Sequence, residues 1–213
     1  MKKLITAAGL TLAASPALAH HPLGGMPMET FTHGVLSGVG HPVLGFDHLF
    51  FVIAMGIAAA FTSQRLLTPA AYIAAMLAGC ALMYAGIAMP LAETVIVVSL
   101  IVLGGVVLSG KALSPTAAML LFALFGLFHG SAFGGSIAEQ EGGVGGAVLT
   151  GYLLGLGVIQ YLIAIAAGWA VQKLGANDAQ AINARLGGAM VAGVGIFLAL
   201  EIIEGPIVAL ITA

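Results

Sequence analysis

Residues 114–138 read SPTAAMLLFALFGLFHGSAFGGSIA, an apolar run without one Asp, Glu, Lys or Arg. A helix over this run, rising about 1.5 Å per residue, outspans the roughly 30 Å hydrocarbon core of a bilayer. Comparable runs recur at about Val43–Phe61, Leu66–Met89, Ala92–Leu108, Val144–Leu174 and Ala184–Ile203. The whole chain of 213 residues is 61% hydrophobic and 7% charged, with a mean hydropathy of +1.14. Soluble domains carry about 25% charged residues, so this chain has too few to cover a surface facing water. The expected fold is all-α, a polytopic membrane bundle of about six transmembrane helices. The apolar tail 205–213 is too short to span alone. It reads as a short seventh helix or as the end of a last helix broken at Gly205-Pro206.

The first nineteen residues follow a secretory pattern. Lys2 and Lys3 precede an apolar stretch, Leu4 to Ala14, that is too short to cross a bilayer, and Ala17-Leu18-Ala19 supplies a small-x-small cleavage site. The domain reading is therefore a signal peptide at 1–19 and a single transmembrane helical domain at 20–213. Cleavage makes His20 the mature N-terminus, outside the cytoplasm. Six spans then place Arg65, Lys111, Lys173 and Arg185 at inner loops and leave the outer loops without Lys or Arg, as the positive-inside rule requires. Glu93, Glu139, Glu141, Glu201 and Glu204 fall at or near the outer side. A net charge of -2 gives no basic surface for nucleic acid. Cys80 is the single cysteine, which rules out an internal disulfide and a Cys-rich metal site and reads as a small packed side chain.

Glycine serves close packing. Gly126, Gly130 and Gly134 form overlapping G-x-x-x-G steps, and Gly151 with Gly155 forms another; such steps let helix backbones approach in lipid. Gly130 directly follows His129 and reads as permitting either a close neighbour or a local break.

The six histidines carry the chemistry. His20 and His21 open the mature chain, His33 follows, then His41-Pro42-Val43-Leu44-Gly45-Phe46-Asp47-His48, and finally His129. Pro42 suits the first position of a helix, which makes His41 its cap. On a regular helix His48 then lies nearly two turns below His41 on almost the same face, with Asp47 close enough to orient an imidazole. Ionisable groups inside a membrane helix are costly unless they pair, bind an ion or meet water, so they mark function. His129, some 22 Å along its helix, matches the depth of His48. Two or three imidazoles and one carboxylate suit Ni²⁺, Co²⁺, Zn²⁺ or Cu²⁺ rather than Mg²⁺ or Ca²⁺.

At His41-Pro42-x-x-Gly45-x-Asp47-His48 and Phe128-His129-Gly130 the chain resembles the HupE/UreJ family of hydrogenase- and urease-associated membrane proteins. The resemblance implies a nickel permease of six to seven helices in the bacterial inner (cytoplasmic) membrane, with a periplasmic mature N-terminus. It carries over His41, Asp47, His48 and His129 as metal-handling residues. The family's second motif often continues with another His and an acid where this chain has Phe133 and Ser136; Glu139 is the nearest acid downstream. The expected function is uptake of a divalent metal from the periplasmic side, supplying urease or hydrogenase maturation. His20, His21 and His33 would collect the metal, with Met26 and Met28 beside them. No enzyme activity and no permanent cofactor are expected. The expected partners are the metal ion, the bilayer, and a second copy or the urease or hydrogenase maturation proteins. The competing readings are an intramembrane metalloenzyme using His48, His129 and Asp47, and an accessory or sensor protein in which bound metal regulates a partner. Glu201 reads as a solvated helix end that could join the site.

Overall fold

The computed structural model describes residues 27–138 and 144–212. The signal-peptide reading, His20, His21, Met26, Glu139 and Glu141 lie outside the described residues. Among those described, the chain forms seven helices: α1 Phe31–Leu44, α2 Phe46–Ala60, α3 Leu67–Tyr84, α4 Ala92–Leu108, α5 Pro115–Ala138, α6 Gly146–Lys173 and α7 Ile182–Thr212. Four of them, α3, α5, α6 and α7, are long and apolar enough to cross a bilayer. The pair α1 and α2 passes the same test together, bent by 79° at its break, and α4 is a shorter apolar helix.

The first predicted segment is corrected here. The helix does not begin at His41-Pro42. It begins at Phe31, where Thr30 caps it by accepting the backbone N–H of His33 at 3.1 Å. His41 and Pro42 occupy the last turn of α1, and the chain then breaks at Gly45, whose N–H closes back onto His41 O at 2.9 Å. His41 and His48 therefore lie on two helices rather than on one face of a regular helix. The seventh helix arises at this break and not at the far end, because α7 runs unbroken through Gly205 to Thr212. The second segment also ends early, at Tyr84, where Gly86 turns the chain with φ +86.

The packing follows from the small residues. A Cβ at Gly126, Gly130 or Gly134 of α5 would run into the carbonyl oxygens of Tyr72, Met76 and Cys80 on α3, so α5 and α3 lie in backbone contact over three turns. Gly130 thus serves close approach, and α5 passes through it without a break. Gly34 and Gly38 of α1 meet Val148 and Tyr152 of α6 in the same way, and Gly151 and Gly155 return the contact. α4 pairs with α7, and α2 runs through the middle, touching every other helix. Its residues Phe51, Val52, Ala54 and Met55 are fully buried.

The loop charges gather at one end. Arg185 Nε donates to Leu108 O at 2.9 Å, Lys111 lies in the α4–α5 turn, and Lys173 ends α6 with its Nζ 5.6 Å from the Trp169 ring. Arg65 and Gln172 line a cleft between α2 and α6 at the same end. Opposite ends of the bundle therefore differ in charge as the sequence requires for a multi-pass membrane protein.

Candidate metal-handling site

The break at Gly45 builds the site. It ends α1 beside His41 and starts α2 beside Asp47 and His48, so two helix ends meet inside the bundle. Gly45 is buried, and a Cβ there would lie 2.9 Å from His48 Cδ2 and 3.2 Å from Asp47 Oδ1 and His41 O. Its backbone angles suit any residue, with φ -81, so it is space that requires glycine here.

His48 and His129 are drawn together most closely. Their Nδ1 atoms are 2.8 Å apart, and both side chains are buried. Ser99 of α4 sets the direction of the protons. Its Oγ donates to Ile96 O at 2.6 Å, so it accepts from His129 Nε2–H at 3.1 Å. That leaves His129 Nδ1 with a lone pair, which accepts from His48 Nδ1–H. Asp47 lies at the N-terminus of α2, where a carboxylate is favoured by the helix dipole. Its Oδ1 accepts the His48 backbone N–H at 2.8 Å, and its Oδ2 stands 3.9 Å from His48 Nε2, beyond a hydrogen bond but within reach of one.

His41 is the third imidazole. Its ring centroid lies 5.9 Å from that of His48, and its Nδ1 is 3.1 Å from Tyr152 Oη and 3.2 Å from Ser136 Oγ. Both hydroxyls also reach Phe133 O, at 3.1 and 2.9 Å. When they donate there, they accept a shared Nδ1–H from His41. Aromatic rings enclose the cluster: Phe133 stacks on His48 at 4.1 Å and meets His41 edge-on at 5.0 Å, while Phe51 stacks on His129 at 4.5 Å.

The predicted residues His41, Asp47, His48 and His129 are thus all brought to one place. His33 is not part of it; its Nδ1 accepts from Glu29 N at the start of α1. Met28 is partly buried against the core, and Glu201 lies exposed on α7. Among the described residues, no three His, Cys, Asp or Glu side chains form a ready-made ligand set for one ion. The convergent feature is a pair of imidazoles with a carboxylate at its edge. Sequence reasoning missed Ser99 and Tyr152, named Gly45 only as part of the family motif without a structural role, and registered Phe133 and Ser136 only as departures. A polar residue inside an apolar run was the available signal for Ser99 and Tyr152.

The two imidazoles can take an ion with little movement. Metal–nitrogen bonds of about 2.0–2.1 Å place cis ligands about 3 Å apart, close to the separation of the two Nδ1 atoms. Placing an ion there moves the His48 proton to Nε2, toward Asp47. Ser99 already accepts from His129 Nε2–H at 3.1 Å, and Asp47 Oδ2, now 3.9 Å from His48 Nε2, would have to move closer to accept its proton, the outer support that metal-bound histidines regularly have.

The family described as HupE / UreJ protein matches residues 8–198. The chain is 29% identical over 185 residues to Protein HupE of Rhizobium leguminosarum bv. viciae, covering 86% of this chain and 91% of that protein. No solved structure matches it. With its helical membrane bundle and the match over nearly its whole length, the chain belongs to the HupE/UreJ family.

Proposed function

We propose that the protein is a nickel permease that accepts Ni²⁺ from the periplasmic side of the inner membrane and delivers it to the cytoplasm for urease or hydrogenase maturation. The observation that carries this reading is the His48–His129 pair, with Nδ1 atoms 2.8 Å apart in the bundle interior. Imidazole nitrogen suits Ni²⁺, and Co²⁺, Zn²⁺ and Cu²⁺ are the competing substrates. His48 and His129 bind the ion, Asp47 holds the His48 proton and offsets charge, and His41 lies next to them at the α1 end. Two neutral imidazoles with one nearby carboxylate hold an ion weakly enough to release it, as conduction demands.

Helix ends support the direction. With Arg65, Lys111, Lys173 and Arg185 inside, α1 opens toward the periplasm and His33 stands roughly 12 Å along α1 from His41. An inside-negative potential of about 100 mV contributes about 4.6 kcal/mol to a divalent cation moving inward. The reading is transport without catalysis, and it needs no permanent cofactor.

The test is accumulation of radiolabelled nickel in cells expressing the protein. Uptake should rise with expression and return to background in His48→Ala and His129→Ala at equal membrane protein. Undiminished uptake by either variant would remove the imidazole pair from the mechanism, and no uptake of any divalent metal by the unaltered chain would favour the sensor or accessory reading.

A further inference from the structure

Below the imidazoles lies a second set of buried polar groups with no part in the site just described. Gln160 is a fully buried amide in the middle of α6. Tyr72 Oη donates to its Oε1 at 2.7 Å, and its Nε2 reaches Leu156 O at 3.2 Å and Met76 Sδ at 3.8 Å. One turn before Tyr72 on α3, Thr68 is also fully buried, and its Oγ1 has no hydrogen-bond partner among the described residues. Residues 68, 72 and 76 share one face of α3 at intervals of four.

This line starts beside the imidazole pair, since the Tyr72 and His129 ring centroids are 5.8 Å apart. It leads toward the basic end of the bundle. The cleft between α2 and α6 continues from there: Ala164, one turn past Gln160, lines it together with Gly56, Gln172 and Arg65. Its volume of about 150 Å³ holds a few waters. Arg65 lines the cleft, and its guanidinium disfavours a cation bound there.

We propose that Gln160, Tyr72, Met76 and Thr68 form an inner subsite for the transported divalent cation, receiving it from His48 and His129 and passing it to the Arg65 cleft; this rests on the permease reading above. A structural tie between α3 and α6 accounts for the Tyr72–Gln160 bond alone. It does not account for a buried threonine hydroxyl with no hydrogen-bond partner among the described residues to offset its desolvation. Carbonyl, hydroxyl and thioether donors without charge bind a first-row divalent ion less strongly than imidazole. Affinity therefore falls along the path, which is the gradient that release requires.

The full chain is reconstituted in liposomes holding a nickel-quenched dye, and Ni²⁺ binding to the same purified protein is titrated calorimetrically. Thr68→Val removes the hydroxyl at constant volume, and Gln160→Leu replaces the amide with a side chain that has no donor atom for a metal. Each should slow Ni²⁺ influx about fivefold or more while the dissociation constant at the imidazole pair stays within about twofold. Influx at the rate of the unaltered protein in Thr68→Val and Gln160→Leu would overturn the subsite. So would slowing by Gln160→Leu alone with Thr68→Val at the unaltered rate, because the structural tie accounts for that. Failure of the unaltered protein to carry nickel would defeat the permease reading and the subsite with it. Loss in His48→Ala with intact influx in both inner variants would defeat the subsite alone.

Discussion

Asp47→Asn separates a carboxylate that works through its charge from one that only bonds the backbone of the first turn of α2. Asp47 does two things in the structure. Oδ1 accepts the His48 backbone N–H at 2.8 Å, and Oδ2 faces His48 Nε2 at 3.9 Å. Asparagine keeps the first, because its amide oxygen accepts the same N–H, and the helix start survives. It loses the second as a charged acceptor for Nε2–H when Nδ1 holds a metal. An ion on Nδ1 lies roughly 6 Å from the carboxylate, so the gross attraction at an effective dielectric of 20 is about 5 kcal/mol. Most of this is offset by the cost of holding a carboxylate out of water, and outer partners of metal-bound histidines are worth about 10–100-fold in affinity. That range corresponds to about 1.4–2.7 kcal/mol. Titration calorimetry with Ni²⁺ on the purified protein should show a 10–100-fold weaker Kd in Asp47→Asn, with a thermal midpoint near that of the parent. Nickel uptake at limiting metal should fall in proportion. Unchanged affinity in Asp47→Asn beside complete loss in His48→Ala would refute the proton-holding role and leave Asp47 only its bond to the first turn of α2.

Three further outcomes follow from the same geometry. Ser99→Ala removes the acceptor of His129 Nε2–H, and calorimetry should read about a tenfold loss of Ni²⁺ affinity, with thermal unfolding showing a loss of about 1–3 kcal/mol for the buried N–H left without its acceptor. Gly45→Ala forces a methyl against His48 Cδ2, Asp47 Oδ1 and His41 O, so thermal unfolding should show a loss of about 1–3 kcal/mol, together with abolished uptake. Phe133→His places a further imidazole where a ring already stacks on His48 and touches His41; equilibrium binding should tighten about tenfold while net transport slows, because a stronger site releases its ion less readily.

Much of the site was legible because its residues are expensive where they stand. His48, Asp47 and His129 are ionisable groups in apolar helices, and that cost identifies them without any structure. Five of the six predicted segments map directly onto α3 to α7, since hydropathy over about 20 residues is a strong signal. The helix start was misread because Pro42 is favoured in the first turn of a helix, whereas here it stands in the last turn of α1, just before the break at Gly45. Thr30 and Gly45 carried the correct boundaries, as a cap and as a residue with no room for a side chain. The supporting polar groups were not legible. Ser99, Tyr152, Gln160 and Thr68 stand out in sequence only as polar residues in apolar runs, and what each one serves is set by what faces it in the fold.

Composition, hydropathy and the placement of charge by themselves determined a membrane helix bundle with basic residues at one end and histidines toward the other, because transfer into lipid acts on each residue locally. Tertiary structure alone decided that α1 and α2 bend at Gly45, that His48 and His129 meet through Nδ1, and that Ser99 accepts from the far nitrogen of His129. Those contacts join residues as far as 81 positions apart in the chain, and only the packing of glycine-lined helices brings them within hydrogen-bond distance.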